Sequence, residues 1–288
     1  MKKENTKESK LDILRHSTAH ILAAAVLDLF PEAKFGIGPT IEDGFYYDFD
    51  LPRPISPDDL PVLEKKMRAI IKRNWPFEKK EIDAQKAIEL FKKNKQPYKV
   101  ELIKDLMKEA STSSANKYSL SKARSAASKG LTVTIYKTGS FVDLCRGPHL
   151  DSTGQIKPEA FKLLKIAGAY WRGSENQPML QRIYGTAFEN KKELETYLNR
   201  LKQAEERDHR KLGEKLDLFS FHPEAPSIPF FHPKGRIIYN LLVEFWRQAQ
   251  KKYDYQEIQA PNMLDLSIWK QSGHWDHYKD DMFFVKTK

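Results

Sequence analysis

A densely charged helical segment late in the chain divides the sequence into two parts. Between Glu189 and Leu216 the apolar residues recur along one narrow stripe, and charged residues occupy the rest of the segment. Such a helix packs along one side only, which fits a connector between domains. The chain has 288 residues, more than a single domain usually contains. We therefore predict a flexible N-terminus at 1–10, a first domain at 11–188, a connecting helix at 189–216 and a second region at 217–288.

The first domain shows helical and strand patterns in alternation, which predicts an α+β fold. Apolar residues spaced near 3.6 predict a helix from Ile13 to Phe30, ending before Pro31. After a glycine-rich turn, aromatic residues from Phe45 to Phe49 predict a strand. Further helices are predicted at 60–74 and 83–94, and further strands at 131–136 and 141–144. The segment 109–129 is rich in Ser, Ala and Lys and is predicted to be a mobile surface insertion.

The second region begins with a proline-rich stretch and continues into an amphipathic pattern. Apolar residues between Ile237 and Ala249 predict a helix with one buried face. A strand is predicted from Tyr255 to Ala260, just before Pro261.

Charge and composition narrow the classes of partner and compartment. Lys and Arg number 49 against 39 Asp and Glu, and the net charge of +10 favours phosphate-rich partners without specifying nucleic acid. The apolar run from Ile21 to Leu27 is far shorter than the roughly 20 residues that cross a bilayer. The polar N-terminus lacks the apolar core of a secretory signal. With one cysteine, Cys145, no internal disulfide forms, and we predict a cytoplasmic protein without a membrane span.

Two pairs of metal-ligating residue types share a four-residue spacing. His16 and His20 lie on the same face of the first predicted helix, so their rings can converge. Cys145 and His149 repeat the interval around Gly147 and Pro148, which favour a tight loop. Three His and one Cys form a set that tetrahedral zinc accepts. The same set can position a hydrolytic water without a metal, and the residue types leave both alternatives open.

Several longer segments carry a resemblance to a known family. In chain order they read RHSTAH (15–20), GIGP (36–39), GFYYD (44–48), VDLCRGPH (142–149), AGAYWRG (167–173), MLQRIYGTA (179–187) and RDHRK (207–211). These segments resemble the editing domain of bacterial threonyl-tRNA synthetases, which hydrolyses wrongly charged tRNA. The region from 217 onward, ending in GHWDHYKDDMF (273–283), resembles the beginning of the class II aminoacylation domain with its motif 1. The resemblance covers nearly everything from Leu11 to Phe284.

The resemblance implies a substrate and a role for particular residues. A pocket that accepts threonine cannot strongly reject serine, which lacks only a methyl group, so mischarged seryl-tRNA(Thr) needs a second, hydrolytic site. His16, His20, Cys145 and His149 are then expected to surround the aminoacyl ester. Substrate-binding roles are expected as follows: Lys99 near the serine or the terminal adenosine, Asp143 at the amine, and Tyr47 as a wall or a hydrogen-bond partner.

For a complete enzyme, the resemblance implies ATP-dependent charging of tRNA(Thr) with threonine. ATP and zinc are the implied cofactors, and a homodimer through the class II domain is the implied assembly. The segments that hold ATP and the threonine-reading zinc are not found in this sequence, so aminoacylation is not expected from this chain alone. Two alternatives are a free-standing deacylase acting on mischarged tRNA in trans and a non-catalytic tRNA-binding or dimerisation module.

Overall fold

The computed structural model describes residues 9–113 and 131–285. The chain forms two compact units, Met1–Gln203 and Ala204–Lys288, each of which is described by itself. Within the described ranges, no helix combines the length and the apolar character that crossing a membrane requires.

Unit 1 combines helices with antiparallel sheets, so the predicted α+β class is confirmed. Its helices have the bounds α1 Lys10–Leu29, α2 Asp59–Lys72, α3 Ala84–Lys93, α4 Pro97–Ser113 and α5 Lys191–Glu206. Its strands have the bounds β1 Lys34–Phe35, β2 Thr40–Ile41, β3 Gly44–Asp50, β4 Glu78–Asp83, β5 Thr132–Thr138, β6 Phe141–Leu144, β7 Phe161–Tyr170 and β8 Met179–Ala187.

Two antiparallel sheets organise unit 1. The larger one has the order β1-β3-β8-β7, with β2 also paired to β3. The smaller one has the order β4-β5-β6, in which Ile135 of β5 lies opposite Leu144 at the end of β6. Strand β6 ends there, and the next residue, Cys145, still donates its N–H to the Thr134 carbonyl of β5 at 3.1 Å.

Helix α1 is buried on nearly every side and forms the centre of the main core. Ser9 caps its first turn by accepting a hydrogen bond from the backbone of Asp12. Ile21 and Leu22 are fully buried, and α1 contacts α2, β3 and β8 as well as β5 and β6. A helix held from several sides fixes the direction of its side chains, and α1 therefore provides a rigid base for the residues it carries.

Helices α3 and α4 cover the smaller sheet through a second apolar cluster. Phe91, Ile103 and Val133 lie in this cluster. Helix α4 runs from Pro97 to Ser113 and extends into the segment 109–129. The insertion predicted over 109–129 is therefore helical at its start, and the rest of it lies outside the described residues.

Unit 2 contains α6 His209–Lys215, β9 Phe219–Ser220, β10 Phe230–Phe231, α7 Pro233–Lys251, α8 Leu266–Gln271 and α9 His274–Tyr278. Strands β9 and β10 form an antiparallel hairpin. The single helix predicted over 189–216 is wrong, since α5 ends at Glu206 and Asp208 caps the separate helix α6. The aspartate side chain accepts a hydrogen bond from the backbone of Arg210, which starts a new helix at that point.

Two further predictions for unit 2 are wrong. The residues from Tyr255 to Ala260 form no strand, because no neighbouring strand pairs with them in the described part of this unit. The apolar face of α7 is exposed: Leu241 is 65% and Phe245 71% accessible. Periodicity identifies the apolar face of a helix, but it does not reveal whether the chain supplies a partner for that face.

Candidate functional site

The first two site residues project from one face of α1. His20 is buried at 2% exposure, while His16, one turn earlier, is partly exposed. Their ring centroids lie 5.2 Å apart. The spacing of four residues and the rigid packing of α1 account for this arrangement.

The other pair lies in the loop that leaves β6. Cys145 Sγ lies 3.2 Å from His16 Nε2 and 3.3 Å from His149 Nε2, so the two predicted pairs do meet. Gly147 has φ +71° at the bend between them, and a Cβ at this position would overlap the Tyr136 hydroxyl. Glycine therefore allows both the left-handed backbone and the close approach of the tyrosine.

Ser17 and the backbone fix the orientation of His149 and of the thiol. Ser17 Oγ lies 3.2 Å from His149 Nδ1 and accepts a hydrogen bond from the Leu150 backbone at 3.0 Å. The Gly147 N–H donates to Cys145 Sγ at 3.3 Å. If the Ser17 hydroxyl donates to His149 Nδ1, the proton of that neutral ring sits on Nε2 and points to the sulfur. The Cys145 thiol is therefore held by hydrogen bonds with neutral groups, namely the two imidazoles and a backbone N–H.

A second network of buried polar groups lies beside the histidines. Lys99 Nζ is 2.5 Å from Asp143 Oδ1, and both side chains are about as buried as the core. Tyr47 donates its hydroxyl to Asp143 Oδ2 at 2.6 Å and receives a hydrogen bond from Lys99 at 3.2 Å. His20 Nε2 lies 3.4 Å from the same carboxylate oxygen. Asp143 therefore connects the lysine, the tyrosine and the histidine.

These residues surround a cavity of about 500 Å³ in unit 1. Its walls come from α1, the loop at 37–40, α4 and the end of β6. The lining residues are His16, His20, Ile37, Gly38, Pro39, Thr40, Lys99, Leu102, Asp143, Leu144, Cys145, Arg146 and Gly147.

Five of the seven predicted site residues line this cavity, and two do not. The His149 ring contacts Phe77 and Tyr136, and its centroid lies 4.2 Å from that of His16 and 4.1 Å from that of His20. Tyr47 is fully buried beneath Gly38, where a Cβ would overlap the tyrosine ring. Of the two roles expected for Tyr47, the geometry favours the hydrogen bond over the wall.

Burial controls the charge state of all three imidazoles. Desolvation lowers the pKa of His16, although nearby Asp143 and a hydrogen bond to the Pro148 carbonyl oppose the effect. Desolvation lowers the pKa of His20 strongly, and His16 and Lys99 add to it. The pKa of His149 is also lowered, by desolvation and then by the two other histidines. The rings are therefore neutral near pH 7, as a proton acceptor must be.

These pKa values predict that acid destabilises unit 1. Each histidine has a lower pKa folded than unfolded, so the unfolded chain binds more protons as the pH falls below about 6.5. Each buried ring then contributes a loss of up to about 1.4 kcal/mol between pH 7.5 and pH 5.5. Urea unfolding at the two pH values measures this change.

The variant His149→Gln should show a smaller loss of stability between the two pH values than the wild type. The variant His277→Gln, altered at an exposed histidine of unit 2, serves as the control. An identical pH dependence in the wild type and in His149→Gln would contradict the prediction.

The distances between the donor atoms are also close to those of a zinc site. The ligand atoms of His16, His20, Cys145 and His149 all lie within 4.8 Å of one another. Tetrahedral zinc with bonds of about 2.0–2.3 Å holds its ligand atoms roughly 3.3–3.8 Å apart. Buried His20 Nδ1 has no hydrogen-bond partner among the described residues. The set therefore fits zinc after small movements, and it fits an ordered water equally well.

Some residues of the cavity wall had not been predicted from the sequence. Thr40, Leu102 and Arg146 line it without having been singled out. Arg146 lies between Cys145 and His149 in the chain, so its place in the sequence already suggested a position near the site. Leu102 follows Lys99 by three residues on α4, and recognising a helix there would have placed the two on one face.

The region around this site is similar to known proteins. Residues 133–184 match the family described as the threonyl and alanyl tRNA synthetase second additional domain. This match includes Asp143, Cys145 and His149, whereas the two histidines of α1 lie outside it.

Longer matches extend over nearly the whole chain. A threonine–tRNA ligase of Desulforamulus reducens is 50% identical over 282 residues, 98% of this chain and 41% of that protein. One from Acetivibrio thermocellus is 48% identical over 279 residues, 97% of this chain and 40% of that protein. One from Clostridium botulinum is 51% identical over 272 residues, 94% of this chain and 39% of that protein. The chain thus spans about 40% of the length of these relatives.

Proposed function

Because this chain belongs, over the segment it covers, to the threonine–tRNA ligase family, we propose that its cavity hydrolyses the ester of mischarged seryl-tRNA(Thr). One observation supports the proposal most directly. The neutral imidazoles of α1 and the Cys145 thiol line the same cavity as the buried Lys99–Asp143 pair. Neutral bases next to a cavity suit the addition of water to an ester.

In the proposed reaction, a water molecule held near His16 and His20 attacks the ester carbonyl carbon. An imidazole accepts the proton that the water loses, and the Cys145 thiol holds the water or the His16 ring in place. The bond between the carbonyl carbon and the ribose oxygen then breaks, and that oxygen takes up a proton. The products are free serine and uncharged tRNA(Thr). Proton transfer by a positioned imidazole accounts for about 10²–10⁴-fold of such a rate.

Asp143 has two parts in this proposal. Its contact with His20 Nε2 orients that ring, leaving the other nitrogen available as a proton acceptor. Its charge is also matched to the amine of the seryl group, while Lys99 and Tyr47 keep the carboxylate in place. His149 supports the thiol from behind and does not contact the substrate directly.

The proposal predicts that this chain hydrolyses seryl-tRNA(Thr) faster than threonyl-tRNA(Thr). One methyl group separates the two substrates, and a difference of this size in a fitted pocket is worth about 10–200-fold. Single-turnover deacylation of the two tRNAs by the same preparation measures the ratio. Spontaneous hydrolysis without protein is the baseline. Equal rates for both substrates, or rates no greater than the baseline, would contradict the proposal and favour a non-catalytic tRNA-binding module.

We expect the hydrolysis to be independent of zinc. The thiol already has hydrogen-bonded neutral partners, and the proposed mechanism needs only a water at the position that a metal would take. Zinc bound here would hold the sulfur as a thiolate and supply an activated water. Protein dialysed against a chelator should therefore keep its seryl-tRNA deacylation rate, with metal content measured in parallel. Loss of the rate on chelation and its recovery with added zinc would contradict this expectation.

The relatives suggest a wider role for the protein that contains this chain. We propose ATP-dependent charging of tRNA(Thr) with threonine, with ATP and zinc as cofactors, in the cytoplasm. The predicted domains, at 11–188 and from 217 onward, fit editing followed by the start of aminoacylation. The exposed apolar face of α7, with Leu241 and Phe245, supports the proposed homodimer through the class II region, since large apolar patches commonly mark interfaces.

A further inference from the structure

A second cavity of about 690 Å³ lies beside the site cavity in unit 1. It is bounded by α4, by the start of β5 and by the loop after β6. The two cavities share four lining residues: Leu102, Leu144, Cys145 and Arg146. They therefore adjoin along a common wall that includes the thiol of the candidate site.

The second cavity combines apolar surfaces with an open strand edge. Leu106 and Val133 contribute apolar walls. The last hydrogen bond between β5 and the departing chain is donated by the Cys145 N–H to the Thr134 carbonyl, at 3.1 Å. Beyond it, at Thr132, the β6 side of β5 has no neighbouring strand in the described part of the chain. Aliphatic walls beside a strand edge suit a nucleobase, whose faces are apolar and whose edges form hydrogen bonds.

Carboxylates at the rim suit a base that carries an exocyclic amine. Asp105 and Glu109 line this cavity, and Asp105 is already paired with Arg172. Carboxylates accept hydrogen bonds from the amino group of cytosine. They would repel a phosphate placed beside them, so the phosphate of such a nucleotide belongs elsewhere.

Arg146 provides a suitable position for that phosphate, where the two cavities adjoin. Its side chain is exposed, and it forms no ion pair within residues 9–113 and 131–285. Arg172, the other arginine of the cavity, contacts both Glu101 and Asp105, so its charge is already compensated. An arginine with available donors binds phosphate oxygens well.

We propose that the second cavity binds the nucleobase that precedes the terminal adenosine of the tRNA, and that Arg146 binds the phosphate joining the two nucleotides. This inference rests on the proposed deacylation and extends it to the penultimate nucleotide, a cytidine in the common CCA end of tRNA. The aminoacyl ester enters the first cavity while the neighbouring base enters the second. Arg146 is a positioning residue, since it holds the substrate away from the reacting atoms.

A comparison of two small esters isolates the contribution of the penultimate nucleotide to kcat/KM. Seryl-adenosine carries only the ester and the terminal nucleoside, and the seryl ester of the dinucleotide CpA adds the penultimate nucleotide that the second cavity is proposed to bind. With the full chain, we expect kcat/KM to be about tenfold or more higher for seryl-CpA, as one charge-assisted contact and the burial of one base allow. The ratio of the two kcat/KM values is the quantity to compare among variants.

Two variants test the two contacts separately. Arg146→Ala should lower the ratio without abolishing it, because the base contact remains, and Arg146→Lys should restore part of the loss at low salt. Leu131→Trp, at a partly exposed lining residue on the same strand face as Val133, should fill the cavity and lower the ratio as well. Lys157→Ala, which removes an exposed cation outside both cavities, should leave the ratio at its wild-type value.

The outcomes distinguish this inference from the function on which it rests. Hydrolysis of both esters with equal kcat/KM overturns the inference and leaves the deacylase proposal intact. Failure to hydrolyse either ester, together with no activity on seryl-tRNA, overturns both. A ratio that falls equally in Arg146→Ala and Lys157→Ala reflects general electrostatic attraction and overturns the role of Arg146. A ratio unaffected by Leu131→Trp overturns the assignment of the base to the second cavity.

Discussion

Replacing His20 by alanine is expected to lower the single-turnover deacylation rate of seryl-tRNA(Thr) by about 10²–10⁴-fold, the range typical of a lost acid–base group. His20 is buried, neutral near pH 7 and in contact with Asp143, so its removal takes away the proton acceptor of the proposed reaction. His16→Ala is expected to fall in the same range because His16 contacts Cys145 directly. The measurement uses enzyme in excess over radiolabelled seryl-tRNA.

A loss of folding must be separated from a loss of chemistry. Each variant is therefore compared with the wild type by urea unfolding, and His20→Gln, which keeps a polar side chain of similar size, accompanies His20→Ala. His277→Ala, altered at an exposed position of unit 2, is the matched control and should retain the full rate. Unchanged rates in both His16→Ala and His20→Ala would remove the catalytic role of α1.

Replacing Lys99 by methionine is expected to lower the free energy of unfolding by about 3–5 kcal/mol, because it leaves a buried carboxylate without its cation. Lys99 and Asp143 are each 3% exposed, so water cannot compensate for the lost partner. Methionine keeps most of the side-chain volume, which limits the contribution from a cavity. Equilibrium urea unfolding monitored by tryptophan fluorescence measures the change.

A double variant and a surface pair test the cause of this destabilisation. Lys99→Met combined with Asp143→Leu should recover much of the loss, because neither charge then remains buried. Lys191→Met breaks an exposed pair with Glu195 on α5 and should cost less than about 1 kcal/mol. A Lys99→Met protein within 1 kcal/mol of the wild type would mean that Asp143 is stabilised by other groups.

Local patterns succeeded where the relevant interactions are close in sequence. The predicted helix at 13–30 is α1, and the predicted strands at 45–49 and 141–144 are β3 and β6. In these segments apolar periodicity agrees with the burial that the fold provides. The same reasoning was wrong for the strand at 255–260, since a strand exists only if another segment pairs with it.

Strands β7 and β8 illustrate a different limit. Both segments were recognised only through family resemblance, although they form the most extensively paired hairpin of the larger sheet. Their apolar alternation is interrupted by lysines and by a register shift between Leu163 and Lys165. A bulge moves side chains between the two faces of a sheet, and so it obscures the alternation that identifies a strand.

The sequence by itself determined the chemical inventory of the site: two histidines one helical turn apart, and a cysteine and a third histidine at the same interval. Only the tertiary structure decided that Cys145 lies 3.2 Å from His16 and 3.3 Å from His149, and that Tyr47 donates a hydrogen bond to Asp143. Spacing along one helix is set by local geometry. Contacts between α1 and the end of β6, over 120 residues apart in the chain, depend on how helices and sheets pack. The neutral state of the imidazoles has the same origin, because burial is a property of the packed fold and not of the residue types.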